Sequence, residues 1–525
     1  MANPKALPCD DGAIRASASV PACTAARPWV LAAAVLGSTL AYVDESVVNI
    51  ALPKMETDLA TTLEPMQWVV NAYTLCMTAL LLAGGATADR FGRRRIFMIG
   101  VAVFAVASLG CGAAPDVGVL IGARALQGVG SALLVPCSLA LIGAAYGEKE
   151  RGAAIGIWAA ASAIASGAAP ILGGWLIDHA SWRSIFFINP LLAIPTLWLA
   201  ATRVPESRDA HAAPHIDWRG ALLAFTGLAS LVYGLIAVSD RGWSRPQVYG
   251  TIAVGVVLLA AFLFAEARSA APMMPLGLFR SRSFSGINAL TLLLYGALGG
   301  AFFFVPFLLI QARGYPATAA GAAYLPFTLV LALLSRWSGG LVDRFGARPP
   351  LILGPAITAL GFVLLASATA PYWLLLVPMT VLGLGMSITA APLTTAILNA
   401  VPAERTGIAS GVNNAVASLG SLLVIAVLGT VALGNFAGAL ERHLVQARPV
   451  AAVASAVRAA KGGFVIPPLP ANLPSAERTQ ARALVADSLA DTVRSMLWIA
   501  SGLALAGALA AAVTIAPRRR EARVP

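Results

Sequence analysis

Charge is scarce in this chain. Only 11 % of its 525 residues are Asp, Glu, Lys or Arg, where a water-soluble protein carries about 25 %. That deficit leaves too few ionised groups to coat a soluble globule, and it excludes soluble enzymes, disordered tails and fibres. Cysteine is scarce as well. The five are Cys9, Cys23, Cys76, Cys111 and Cys137, without a CxxC pair, and the last three lie in apolar segments. They read as small buried hydrophobes, not as disulfide partners. Four histidines, none near a cysteine, form no metal-binding cluster with one, so neither a metal nor a cofactor is expected. Lysine is confined to Lys5, Lys54, Lys149 and Lys461, none in a Gly-Lys-Ser/Thr context, which excludes a phosphate-binding Walker loop. Residues 1–28 lack the pattern of a cleaved leader, because the apolar run from Trp29 is too long and no Ala-x-Ala site follows closely.

What is plentiful is apolar sequence: 58 % of the chain, with a mean hydropathy of +0.79. A membrane span needs about 20 apolar residues. Fourteen stretches meet that length: 29–52, 66–87, 96–114, 117–142, 152–177, 184–202, 218–238, 247–267, 284–309, 318–341, 351–370, 372–398, 407–432 and 493–516. The expected fold is an all-α integral membrane protein. The net charge is +12, which in a soluble protein would hint at nucleic acid. Here it reports orientation. With the N-terminus in the cytoplasm, twenty-two of the 36 Lys and Arg fall in cytoplasmic segments and five in the short loops opposite. That bias predicts a multi-pass protein of the cell inner (plasma) membrane with both termini cytoplasmic, and leaves nucleic acid no role.

The chain repeats itself. Gly85, Asp89, Arg90, Phe91, Gly92 and Arg94 recur as Gly339, Asp343, Arg344, Phe345, Gly346 and Arg348, an offset of 254 residues. The same offset carries Glu150-Arg151 onto Glu404-Arg405. Eight spans fit in one period, so two spans are inserted between two six-span halves, a 6+2+6 plan. The expected organisation is a cytoplasmic tail 1–28, a six-helix bundle 29–202, two inserted helices within 203–283, a second bundle 284–516 carrying a long outer loop 433–492, and a basic tail 517–525. Parallel halves with a path between them suit alternating-access transport. Without a Walker loop, an ion gradient or a partner's ATPase is the remaining source of drive, and a proton gradient needs titratable groups at membrane depth.

Asp44 and Glu45 in span 1 and Arg124 in span 4 are those groups. Asp44 lies nine residues from Pro53, about 13 Å deep, and Arg124 eight residues from Asp116, about 12 Å deep from the same face. A carboxylate there without compensation would keep its proton, whereas a nearby guanidinium favours the ionised form. A carboxylate balanced between the two influences can load and release a proton; a static tie between helices is the alternative. Glu45 sits roughly 100° around the helix from Asp44, facing a cationic substrate or the headgroup region instead.

Several stretches together resemble the major facilitator superfamily, in its fourteen-span drug:proton antiporter branch (EmrB/QacA-like). They are Asp44-Glu-Ser-Val-Val-Asn49-Ile-Ala-Leu-Pro53, the loop Gly85 to Arg94, Arg124-Ala-Leu-Gln127-Gly128-Val-Gly130, Gly167-Ala-Ala-Pro170-Ile-Leu-Gly173-Gly174, and Trp182-Arg183-Ser-Ile-Phe-Phe-Ile-Asn189 at the start of span 6. The resemblance runs from Trp29 to about Thr430 and implies a multidrug exporter driven by protons. It implies proton coupling by Asp44 and Arg124, a gating loop built on Gly85, Asp89, Arg90, Gly92, Arg93 and Arg94 with Asp343 and Arg344 in the repeat, and an antiporter motif at Gly167, Pro170, Gly173 and Gly174. Ala169 replaces the usual Gly before Pro170, and Glu45 stands where a small polar residue is more common. Asp89 is suited to cap a helix or tie an arginine across the halves, and Gly152, Gly156 and the motif glycines to close helix packing. Trp158, Tyr295, Phe302, Asn413 and Asn414 are expected in a substrate cavity for lipophilic or cationic small molecules; core or lipid is the alternative for each. Residues 475–492 read either as amphipathic surface helix or as plain connector. An exporter of an endogenous metabolite or lipid on the same fold is the second functional reading, and a periplasmic adaptor is left open.

Overall fold

The computed structural model describes residues 26–209, 217–242, 245–269, 272–368, 372–402, 405–464 and 474–515. Most of the first expected tail, all of 517–525, Glu404 and Pro467–Pro470 lie outside these residues. In hydrocarbon every backbone amide needs a partner within its own segment, so apolar runs of this length become helices. The helices are α1 (Arg27–Asp58), α2 (Leu63–Phe91), α3 (Arg93–Gly112), α4 (Val117–Ala145), α5 (Glu148–His179), α6 (Ser184–Arg203), α7 (Trp218–Arg241), α8 (Pro246–Arg268), α9 (Arg282–Pro306), α10 (Ala317–Ala322), α11 (Leu325–Ser338), α12 (Leu341–Phe345), α13 (Arg348–Ser367), α14 (Leu376–Asn399), α15 (Thr406–Ala447), α16 (Ala451–Ala459) and α17 (Ser475–Thr514). Among the described residues fourteen helical segments are long and apolar enough to cross a membrane, and they fall on the fourteen expected spans. Large apolar side chains such as Ile164, Leu191, Val257, Leu333 and Val513 are exposed on their surfaces, the arrangement lipid favours and water does not.

Three segments depart from expectation. Residues 433–492 are not a long loop: α15 runs on to Ala447 and α17 begins at Ser475. Charged residues end the apolar runs there, but a buried stripe continues beneath them. It comprises Phe436, Leu440 and Leu444 on α15 and Leu484, Ser488 and Met496 on α17, at the spacing of one helix face. Residues 475–492 are therefore the first turns of the helix that carries the last expected span. Span 10 is broken into α10, α11 and α12, with a proline in the first turn of α11, where its missing N–H costs nothing. Span 9 ends in a π-helical turn, Phe307–Ala312.

The chain divides into two compact units, Met1–Val48 with Trp68–Ala229 and Val257–Met273, and Asn49–Gln67 with Ser230–Val256 and Met274–Pro525. In the first, Phe97, Phe104, Leu134 and Leu141 anchor the core, and glycines bring the helices together backbone to backbone. A Cβ on Gly84 would lie 2.1 Å from the Ala132 carbonyl oxygen, and one on Gly128 2.3 Å from that of Tyr73. Gly100 and Gly130 meet each other in the same way, each Cβ within 3.0 Å of the other's carbonyl oxygen. The second unit repeats the pattern in its own helices. Gly383 faces the Phe327 carbonyl at 2.5 Å, and Gly354 and Gly385 meet as Gly100 and Gly130 do. The offsets are 254 or 255 residues, those of the sequence repeat. Gly92 and Gly346, 254 apart, both take positive φ, 114° and 79°, which favours glycine.

Because the obstacle at Gly128 is backbone, its neighbours cannot yield by a rotamer change. Gly128→Val is expected to destabilise the protein by about 1–3 kcal/mol or more, whereas Gly143→Val, facing open space, leaves it nearly unchanged. Thermal unfolding of the two purified variants in detergent checks the contrast.

Candidate functional site

Five helices of the first unit supply one polar cluster. Asp44 (α1) and Arg124 (α4) are both buried, 2 % and 1 % exposed. Arg124 Nη1 donates to Asp44 Oδ2 and, at 2.8 Å, to Gln127 Oε1. Its Nε donates to the Val69 carbonyl on α2 at 3.0 Å. The guanidinium lies 4.4 Å from the centre of the Tyr73 ring, a cation–π contact in a dry setting. Asp44 Oδ1 accepts from Asn189 Nδ2 (α6) at 2.8 Å and from Gln127 Nε2 at 3.1 Å. Ser108 (α3) accepts from the same two amides, at 3.1 Å from Asn189 and 2.6 Å from Gln127. The Cys111 thiol donates to Gln127 Oε1 at 3.2 Å.

The depth argument for Asp44 and Arg124 is thus realised as a direct ion pair. Glu45, the next residue on the helix, is exposed where Asp44 is buried. Gln127, Asn189 and Ser108 were not marked as site residues by sequence reasoning, although Gln127 and Asn189 stand inside quoted motifs. The available signal was an amide in an otherwise apolar span. At the repeat-related positions of the second unit stand Leu298 for Asp44 and Pro378 or Met379 for Arg124, all apolar and buried. The charge pair is therefore absent from the second half at that position.

The loop between α2 and α3 is organised by a residue that sequence reasoning missed. Glu206, just after α6, accepts from the backbone N–H of Arg94 at 2.9 Å and of Arg95 at 3.1 Å. It caps the N-terminus of α3, where a carboxylate meets both free amides and the positive end of the helix dipole. Asp89 does not cap. It pairs with Arg93 one turn on, at 2.7 Å, while its carbonyl accepts from the Asp209 amide. The positive φ of Gly92 favours glycine here, and a Cβ, 2.7 Å from the Glu206 carboxyl carbon, would also displace that carboxylate. Gly85 makes only an ordinary 3.7 Å contact; the close approach belongs to Gly84. Arg94 donates to the Val204 carbonyl, and Arg90 lies over the Phe91 ring. Arg344 is exposed, and the Asp343 side chain lies outside the described residues.

In α5, Gly167, Pro170, Gly173 and Gly174 are buried within one unbroken helix. Gly173 carries the close contact, 2.5 Å from Val47 of α1 for an added Cβ, whereas Gly152 and Gly156 face open space and pack against nothing. Ser46 and Ser166 join the same two helices at 2.7 Å. Trp158 packs against α1 and donates to Ser38 Oγ at 2.8 Å. In the second unit Tyr295 is half-buried and Phe302 stacks edge-on to Tyr324 and Phe327. Asn413 is buried and donates to Thr291 at 2.8 Å and Asn288 at 3.2 Å, tying α15 to α9, while Asn414 is exposed. Asn413 therefore joins two helices.

The profile of the Major Facilitator Superfamily matches residues 34–425. Over 416 residues the chain is 38 % identical to the multidrug resistance protein Stp of Mycobacterium tuberculosis, covering 79 % of this chain and 77 % of that one. It is 32 % identical to the tetracenomycin C resistance and export protein of Streptomyces glaucescens, over 77 % of this chain and 76 % of that one. Among solved structures, a bacterial homologue of the human lysosomal transporter Spinster superposes with a TM-score of 0.62 at 18 % identity, covering 93 % of this chain and 98 % of that one. The POT family transporter PepTSo gives 0.63 at 16 %, covering 94 % and 98 %. At those identities the structures speak for the fold alone.

Removing one partner of a buried ion pair leaves an uncompensated charge. Arg124→Met is expected to destabilise the protein by about 3–5 kcal/mol, and Asp44→Leu combined with Arg124→Met by much less. Thermal unfolding of the single and double variants measures the difference.

Proposed function

The chain belongs to the Major Facilitator Superfamily, and from that premise we propose that it exports drug-like lipophilic or cationic molecules in exchange for protons, with Asp44 as the proton carrier. It is a membrane transporter, not an enzyme. The observation that carries the proton reading is the buried pair, in which Arg124 keeps other partners if Asp44 takes up a proton. When Asp44 is ionised, Arg124, Gln127 and Asn189 all donate to it. When it is protonated, the guanidinium still has the Val69 carbonyl, Gln127 Oε1 and the Tyr73 ring. Neither state strands a charge without polar contacts, so the proton can come and go at a cost the fold can bear.

The helices meeting at the pair link its charge state to packing. Protonation relaxes the pull between α1 and α4, and α1 also carries the close Gly173–Val47 contact with α5. Binding energy of substrate and proton then biases which arrangement of α1 is favoured, the thermodynamic requirement for alternating access. The surplus of Lys and Arg in alternate loops supports an orientation with both termini in the cytoplasm. The named drug-resistance relatives support export of toxic compounds over uptake.

Asp44→Asn keeps the size and hydrogen-bonding capacity of the side chain but cannot ionise. In energised everted vesicles, addition of a transported drug is expected to dissipate the pH gradient with the native protein and to leave it intact with Asp44→Asn, at equal amounts in the membrane. Undiminished dissipation by the variant removes Asp44 from the mechanism.

A further inference from the structure

A second carboxylate is buried on α1, and the proton pathway above makes no use of it. Glu56 is fully buried, twelve residues beyond Asp44 and so about 18 Å along the helix. Its Oε2 accepts from Gln311 Nε2 at 3.0 Å, and its Oε1 from the backbone N–H of Phe464 at 3.1 Å. Gln311 Nε2 also donates to the Pro53 carbonyl at 3.3 Å. Among the described residues these are neutral donors, and no cation pairs with Glu56. On its own helix, Lys54 pairs with Asp58 at 3.0 Å. Arg313, two residues beyond Gln311, donates instead to the Ala368 carbonyl.

Both partners are placed by special backbone. Gln311 sits on the π-helical turn Phe307–Ala312, and such turns recur at functional sites because they re-aim side chains. Phe464 follows the 3-10 turn Ala460–Gly462 that succeeds α16. Its ring is buried against Phe307, with centroids 5.5 Å apart, and Phe436, 5.2 Å apart. Gly463 leaves room for the carboxylate, since a Cβ there would lie 2.9 Å from Glu56 Oε1. An aromatic plug and a charge-assisted hydrogen bond thus seat residues 460–464.

The site also has a prepared place for a proton. Gln311 Oε1 is buried and, among the described residues, has no hydrogen-bond partner. If Glu56 is protonated on Oε2, a turn of the Gln311 amide offers that oxygen as the acceptor of the new O–H. The amide can serve either form because it carries both a donor and an acceptor. The bond to Phe464 changes more. A hydrogen bond to an ionised carboxylate is roughly twice as strong as one to a neutral carbonyl. We propose that Glu56 is a second proton-binding site, separate from Asp44, whose occupancy sets how tightly residues 460–464 are held against α1. The proton loosens the segment; its loss clamps it.

The test reads the segment directly and needs neither substrate nor a gradient, so it stands apart from the role of Asp44. In full-length protein in lipid nanodiscs, with Cys9 and Cys23 replaced by serine, Ala460→Cys reports a position that is 2 % exposed, and Ser455→Cys reports an exposed one. The ratio of their maleimide-labelling rates cancels the reagent's own pH dependence. We expect the ratio to rise as pH falls, by up to about tenfold per pH unit, the limit for one coupled proton, and to be flat in Glu56→Gln. A flat ratio with Glu56 present, or the same rise in Glu56→Gln, overturns the proposal. As a second readout, infrared difference spectra between acid and alkaline buffer in the Asp44→Asn protein should contain a protonated-carboxyl band that Glu56→Gln removes. Survival of the whole band in Glu56→Gln likewise overturns it.

Discussion

An ion pair sealed from water is the constraint around which the first unit is built. Isolated charges are expensive in a low-dielectric interior, and a pair is tolerable only when its remaining lone pairs and N–H groups are also met. Asp44 and Arg124 reach that condition because α1, α2, α3, α4 and α6 each contribute a group within hydrogen-bonding distance of the cluster. None of these helices can shift far without leaving a charge or amide unmatched. The same cluster that restrains the bundle is the one at which proton coupling is proposed.

Close approach of the helices makes this convergence achievable. Gly128 lies one residue past Gln127 and lets α4 press against the backbone of α2 at Tyr73, the residue whose ring covers the guanidinium. Packing and electrostatics are thus joined on one turn of α4. The second unit keeps the packing device, with Gly383 against Phe327, but has Leu298 and Pro378 or Met379 where the charges would be. Duplicated architecture with unduplicated charge means that the carboxylate–guanidinium pair, and the coupling role proposed for it, belongs to one half.

Polar residues at loop ends show the same economy. Glu206 satisfies two free amides of α3 from a remote part of the chain, and Glu56 accepts from a backbone amide 408 residues away. Each holds a non-local segment against a helix end through a carboxylate that accepts backbone N–H groups. Glu206 is partly open to solvent and Glu56 is wholly buried, so the first acts as a fixed cap and the second is exposed to the full consequence of gaining a proton.

Hydropathy, the Lys and Arg bias, the 254-residue repeat and the depth of Asp44 and Arg124 are local or one-dimensional properties, and they were legible in the sequence. They determined fourteen membrane helices, a duplicated plan and one carboxylate–guanidinium pair worth attention. The ends of α15 and α17 were not legible, because charged residues there mask a buried stripe that matters only once neighbouring helices exist to cover it. The separation of Gly84 from Gly85, and of Gly173 from Gly152 and Gly156, was equally hidden. A glycine's role depends on what its missing Cβ would strike, and that atom belongs to a distant part of the chain. The partners Gln127, Asn189, Ser108, Glu206 and Phe464 were decided by tertiary structure alone. Hydrogen bonds act over about 3 Å, and only the folded chain brings those atoms so close.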